Sequence, residues 1–381
     1  MNFKFVRIII ILFLLTFQTY SQSYIFDQTI LIPQGFELLP QSGHGISTIT
    51  NSSTEIGNMN PAALSLFDKL NVGISIKYGT KVNEAWLGGT YKEFLLKYNP
   101  QTVGIVVPYK NFRLGAALNQ RYNAKLNYKI GVFSTANPEI FDYYYYDSKS
   151  EMRTYSFLAS YLLKDYAKGN SLSIGFKFSN NVLYDYGSDY FMYSSSDLIY
   201  SKNNFSIGII YSHPIKEEKY FNLGFSYDSK IKYESPFNNI LLIERGFPYT
   251  PYEFKLGYPE KFKFELNSNY FDKLTLSTGI NILGWNKVYD HVKNTVEFMA
   301  NADYDAISFM KAALGFFYTN YQFNEKGANE FNNKLKALYI IGGIEYRYNV
   351  FNANLSVSDS HFFSGDWWKE TIVKFGIGIT I

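Results

Sequence analysis

Apolar and polar side chains alternate with a period of two along most of this chain. That is the signature of extended strands with one apolar and one polar face. Val72, Ile74, Ile76 and Tyr78 interleave with Gly73, Ser75 and Lys77; Phe112, Leu114, Ala116 and Leu118 with Arg113, Gly115 and Asn119. The same pattern returns at Leu172–Phe178, Phe221–Asp228, Leu274–Ile282 and Phe351–Ser358, and again at the C-terminus. There Val373, Phe375, Ile377, Ile379 and Ile381 face one way, and Lys374, Gly376, Gly378 and Thr380 the other. An apolar edge strand left unpaired invites aggregation, whereas a closed barrel pairs its last strand with its first.

The connections support closure. Short ones fall near Lys110-Asn111, Lys164–Gly169, His213–Glu218, Phe271-Asp272, Asp305 and Asn349. Long ones fall near Thr80–Lys97, Lys129–Ser150, Asp185–Asn203, Glu234–Tyr258, Lys287–Lys293, Gln322–Lys334 and His361–Glu370. Short turns on one side and long loops on the other are the arrangement of an outer-membrane barrel. Counting between them gives about 14 strands, an even number as in single-chain bacterial barrels. The predicted fold is an all-β, transmembrane antiparallel β-barrel in the outer membrane of a Gram-negative cell.

Composition agrees. With 35 Tyr and 34 Phe among 381 residues, aromatics reach 19%, and such barrels place aromatic girdles at both lipid interfaces. A mean hydropathy of -0.16 suits a wall whose alternate residues line a polar lumen. Residues 1–21 read as a signal peptide: Lys4 and Arg7 precede the apolar stretch Ile8–Phe17, and Thr19-Tyr20-Ser21 offers a cleavage site. Loss of Lys4 and Arg7 would lower the formal charge from +3 to +1, which excludes the basic surface of a nucleic-acid binder. There is no Cys, hence no lipoprotein anchor, disulfide or thiolate metal site.

Residues 22–69 precede the first strand of the barrel, 70–381, and carry large apolar residues (Ile30, Leu31, Ile32, Phe36, Leu38, Leu39). A segment of that composition is expected to fold inside the lumen as a plug rather than trail as a disordered tail. In Asn60-Pro61-Ala62, the proline fixes φ and removes a donor, and it biases Asn60 away from helix. The small alanines allow close approach to a wall.

The series Gly35-Phe36-Glu37-Leu38, Ser42-Gly43-His44-Gly45 and Asn60-Pro61-Ala62-Ala63-Leu64, with Phe67-Asp68 ahead of the first strand, resembles the N-terminal hatch of the FadL-type long-chain fatty-acid and hydrocarbon transporters. The stretch Tyr270–Ser277, continuing to Gly284-Trp285, is similar to a hairpin of the same family. The resemblance implies passive uptake of hydrophobic molecules by a monomer, gated by a hatch that includes Gly35, Phe36, Asn60, Pro61 and Ala62. It also implies a side exit at the third strand, which carries Arg113 and Arg121 as candidates to grip a ligand carboxylate in a bidentate pair. A PorV-like shuttle of type IX secretion, binding exported proteins, shares these features and is the alternative. The ending at Ile381 departs from the aromatic residue on which many barrels close. The spacing of Lys374, Gly376, Ile379 and Ile381 still fits the signal read by the barrel-assembly machinery.

Catalytic chemistry is not indicated. His44, His213, His291 and His361 lie apart in sequence, and no Gly-x-Ser-x-Gly or His-Glu-x-x-His motif occurs. We expect no enzyme, no cofactor and no metal. Two stretches predicted as outer loops are apolar or aromatic: Pro236-Phe237 through Leu241, Leu242 and Phe247, and Tyr143–Tyr146. Exposed clusters of this kind mark contact sites, either for capturing substrate or for packing against the rim, outer-membrane lipid and lipopolysaccharide.

Overall fold

The structure is a computed structural model that describes residues 46–85, 89–95, 100–133, 141–167, 169–189, 194–216, 219–237, 252–271, 273–288, 292–322, 334–362 and 370–381. Seventeen strands are present among them: β1 Asn71–Ala85, β2 Gly89–Leu95, β3 Pro100–Tyr109, β4 Phe112–Phe133, β5 Phe141–Ala167, β6 Asn170–Asp189, β7 Ser194–Lys216, β8 Lys219–Asp228, β9 Ile231–Phe237, β10 Tyr252–Tyr258, β11 Lys261–Phe271, β12 Leu274–Leu283, β13 Thr295–Ile307, β14 Met310–Gln322, β15 Lys334–Tyr348, β16 Phe351–Asp359 and β17 Glu370–Thr380. Fourteen of them close into an antiparallel barrel in the order β1, β3 to β8, β11 to β17, with β17 returning to β1 from Asn71↔Thr380 to Lys81↔Glu370. The signal peptide, Gly35, Phe36 and the Ser42–Gly45 step lie outside the described residues.

The alternation sorts outside from inside in the inverted sense that lipid demands. Ile74, Ile76, Leu114, Phe176, Phe264 and Phe316 are exposed on the outer face, while Arg113, Lys177, Lys263, Glu265 and Lys374 are buried on the inner one. The short turns gather at one end; Lys110, Lys273 and Asn349 take positive φ there, as does Gly169, the left-handed geometry tight hairpins need.

Two predicted loops turn out to be strand. The stretches Lys129–Ser150 and Asp185–Asn203 are largely ladder, because β4, β5, β6 and β7 run for 22, 27, 20 and 23 residues. Crossing the bilayer takes only about 9–11, so these strands project well beyond it. Tyr143–Tyr146 pairs with Gly131 to Tyr128 inside that extension. Beyond lipid the outer face need not be apolar, so alternation fades while the β-propensity of Tyr keeps the ladder intact. Similarly, Thr80–Lys97 contains the β1–β2 hairpin.

Candidate functional site

The first described residues, from Ile46 to Phe67, lie inside the barrel and are almost all buried. Two short 3-10 turns, Ser53–Glu55 and Pro61–Leu66, give this plug its shape. Asn60 caps the second: its side-chain oxygen accepts from the Ala62 backbone N–H at 3.0 Å, and its amide donates to the Phe225 carbonyl at 3.0 Å. Pro61 follows at the first position, where its missing N–H costs nothing. Asn60, Pro61 and Ala62 therefore fix the plug's backbone to the wall.

The wall is cut to receive it. A Cβ on Gly73, Gly104, Gly175, Gly208, Gly224, Gly376 or Gly378 would collide with plug atoms of Ser53, Ile56, Pro61, Asn60, Ile49 or Thr54. This girdle of inward glycines, spread over β1, β3, β6, β7, β8 and β17, lets plug backbone lie on the strands at Gly73, Gly175 and Gly208 and plug side chains lie on strand backbone at the others. Charged contacts supplement it. Glu265 accepts from the Ser47 hydroxyl, from the Thr48 N–H at 3.0 Å and from the Thr48 hydroxyl at 2.6 Å. Lys374 pairs with Glu55 at 2.5 Å with both side chains about fully buried, and Lys177 donates to the Gly57 carbonyl at 3.1 Å.

Directly against Gly57–Pro61 lies a cavity of about 50 Å³ walled by Arg121, Lys177, Lys261, Lys263, Asp228 and Tyr258. That volume holds a few waters or one carboxylate-sized group. Four cations and one carboxylate side chain face it. Lys177 is 3.7 Å from Asp228, and Lys263 is 3.1 Å from Glu265 just behind the wall. Arg121 is 8% exposed; its guanidinium stands 5.4 Å from the Tyr258 ring centroid, and its Nη1 has no hydrogen-bond partner. A buried donor in that state favours an incoming acceptor.

A second, apolar cluster occupies the lumen: Tyr122, Met152, Leu183, Met299, Phe317 and Tyr339 from the wall, joined by Tyr233, Trp285 and Val288 from the β8–β11 and β12–β13 connections. Hairpin β9–β10 thus contributes to the interior. The Tyr233 hydroxyl donates to the Asn181 carbonyl at 2.9 Å, and burial raises its phenol above the ordinary range. Tyr258, at the base of the hairpin, touches both the apolar cluster and Arg121.

Among solved structures, the chain is similar to a FadL homologue from Pseudomonas aeruginosa at 14% identity, covering 91% of this chain and 99% of that one with a TM-score of 0.59. It is similar also to the monoaromatic hydrocarbon channel CymD at 10% identity, 92% and 97% coverage and 0.57. The toluene transporter TbuX of Ralstonia pickettii gives 10% identity, 88% and 98% coverage and 0.54. The chain has the FadL-type fold. No family profile and no curated protein sequence matches it, so the likeness resides in the backbone.

Within this FadL-type barrel the two candidate arginines separate. Arg121 faces the cavity beside the hatch. Arg113 is buried at the turn end, where it donates to the carbonyls of Phe67, Lys110 and Phe112 and pairs with Asp68 at 3.3 Å. Its guanidinium ties the exit of the plug to the wall. Phe237 is the last residue of β9, opposite Tyr252; Leu241, Leu242 and Phe247 lie outside the described residues, as do His44 and His291. His213 contacts Asn170 and His361 contacts Asp359, at 2.6 and 3.0 Å. Sequence reasoning missed Lys261, Tyr258 and the apolar lumenal cluster. The available signal was an apolar residue, such as Met299 or Phe317, in an otherwise polar inward file.

Proposed function

We propose that this protein is an outer-membrane channel for passive uptake of hydrophobic molecules, long-chain fatty acids or hydrocarbons, gated by its N-terminal hatch. The observation that carries the reading is a lumen filled by a docked plug with an apolar cluster and a cationic cavity beside it. Diffusive passage needs no reacting group. It needs a place where an apolar tail leaves water, which stabilises by about 25 cal/mol per Å² of tail buried, and a stop that the occupant displaces. The names of the structural neighbours, a FadL homologue and two hydrocarbon channels, support the same class of substrate. The cations around Arg121 favour the members of that class that carry a carboxylate.

The hatch is the element to perturb. Replacing Asn60 and Pro61 together with alanine removes the cap and the fixed φ while leaving every strand intact. Uptake of a labelled long-chain fatty acid by cells should then change in rate, with barrel assembly, read as heat-modifiable gel mobility, unaltered. Identical uptake kinetics in the variant and the parent would overturn hatch gating.

A further inference from the structure

Among the described residues, the ladder between β3 and β4 stops well short of the length of β4. Strand β3 begins at Pro100 and pairs with β4 only from Thr102↔Asn119 to Tyr109↔Phe112. Above that level β1 changes partner from β3 to β2, and β2 has no ladder with β4. Both strands are irregular at this level. The register slips between Ser75 and Ile76, so that Gln101 is an extra residue beside Thr102, and it slips again between Gln120 and Tyr122, leaving Arg121 extra. A bulge aims successive side chains toward the same side and ends regular pairing.

Polar side chains line the inner side where this ladder ends. Ser75, Thr102 and Asn119 are neighbours across three adjacent strands. Gln101 and Asn119 are each 1% exposed, and neither the oxygen nor the nitrogen of either amide has a hydrogen-bond partner; the Ser75 hydroxyl has none either. The hatch closes the row: Asn58 donates to the Thr102 hydroxyl at 3.4 Å, and Gly57, at φ +97°, leaves no room for a Cβ beside the Asn119 amide. Two whole amides buried without partners are rare in native proteins and call for something that satisfies them.

We propose that Gln101 and Asn119 form a head-group subsite at the end of the ladder between β3 and β4. It takes an amphiphile whose uncharged head both donates and accepts: a primary amide, an alcohol or a protonated carboxylic acid. Each amide offers one acceptor and two donors. A paired set of this kind answers a head that carries both functions and gains little from an ester, which only accepts, or from an alkane, which does neither. Sites built on buried hydrogen bonds discriminate because the wrong ligand leaves those groups unpaired. The subsite differs from the cavity beside it, where Lys177, Lys261 and Lys263 favour a charged head.

The inference rests on the uptake reading above, and a single probe series separates the two. Purified full-length protein in detergent is titrated with dodecanamide, dodecanol, methyl dodecanoate and dodecane. Dodecanamide and dodecanol should bind the parent about tenfold more tightly than the ester, the worth of one to two hydrogen bonds. Gln101→Met, nearly isosteric, should remove that advantage while leaving dodecane affinity unchanged. Asn119→Leu is an independent second variant, and gel mobility confirms that each is folded. Equal affinity of the parent for amide, alcohol and ester, or retention of the preference in both variants, would overturn the subsite while the uptake reading stands. Absence of binding by all four probes would overturn both.

Discussion

The glycine girdle makes the docking of the hatch measurable. A methyl group added at Gly104 would lie 2.5 Å from Ile56 Cβ and 2.8 Å from its Cγ2. Ordinary carbon contacts sit near 3.5–4.0 Å, so plug and wall must separate by about 1 Å. Ile56 Cβ is bound directly to backbone and cannot swing aside, as the tip of a long side chain could. Overpacking of this kind costs about 1–3 kcal/mol. Borne by the docked state alone, that cost raises the undocked population about 5- to 150-fold. Gly79→Ala is the matched control, since its methyl would meet nothing closer than 3.6 Å.

The absence of cysteine from the chain gives a clean assay. Ser52→Cys places a thiol on a plug residue that is 3% exposed, and its rate of maleimide labelling in detergent reports how often the plug leaves the wall. Gly104→Ala should accelerate labelling within the range above, and Gly79→Ala should match the parent. Equal rates in the two alanine variants would refute the claim that close packing on the inward glycines holds the hatch in place.

The remaining expectations use other contacts of the interior. Lys374→Met deprives Glu55, 2% exposed, of its ammonium partner; removing one member of a buried pair costs about 3–5 kcal/mol. The double variant Lys374→Met with Glu55→Leu should recover most of that loss, as read by the temperature at which gel mobility shifts. Tyr233→Phe removes the donor to the Asn181 carbonyl and should weaken hairpin β9–β10 by about 0.5–1.5 kcal/mol. Hydrogen exchange of the β9 amides checks this; unchanged protection would show that packing alone holds the hairpin.

The barrel was legible because lipid outside and polar plug inside impose a strict period of two, and that period is visible strand by strand. Closure of β17 on β1 followed from the same rule. What the pattern could not convey is height. Arg121, Lys177, Asp228 and Lys263 each fall in the polar phase of a strand's alternation, yet their convergence depends on the stagger of β4, β6, β8 and β11, which no single strand records. Gln101 was invisible for a related reason, since a bulge adds a residue out of phase with the alternation that located the strands. Glycines such as Gly104 and Gly175 looked like neutral occupants of the polar file, and only the plug packed against them, by the Ile56 side chain and by the Pro61-Ala62 backbone, gives them a role. Hairpin β9–β10 alternates like a wall strand, with Ile231 and Tyr233 about Lys232. Its turn into the lumen is fixed by Tyr233 and by Gly257 packed on Val288, contacts made far along the chain.

The composition of the plug interface also bears on how a hatch releases. Along Ser47–Asn58 the contacts to the wall are largely hydrogen bonds and ion pairs: Glu265 to Ser47 and Thr48, Lys374 to Glu55, Asn354 to the Thr54 hydroxyl at 2.8 Å and Lys177 to the Gly57 carbonyl. When such a segment leaves, water takes over each bond, so the net cost per contact is about 0.5–1.5 kcal/mol where both groups are neutral and about 1.5–3 kcal/mol where one is charged, well below the gross strength of the bond. From Met59 to Phe67 the character changes. Ala62, Ala63, Leu64 and Phe67 are packed with Val106, Ala117, Leu158 and Ile210 of the wall, and exposing apolar surface gains nothing back from water. The plug is therefore graded: its polar anchors concentrate in the leading part, where Ile49 and Ile56 alone join the same apolar cluster, and it is driest where it joins β1. Asn60, which caps the dry turn and reaches across to Phe225, stands at the boundary. Under the gating proposed above, a ligand that competes for the polar contacts of the leading part would act where the hatch yields at least cost, while the apolar turn and Arg113 would keep the plug tethered to the barrel.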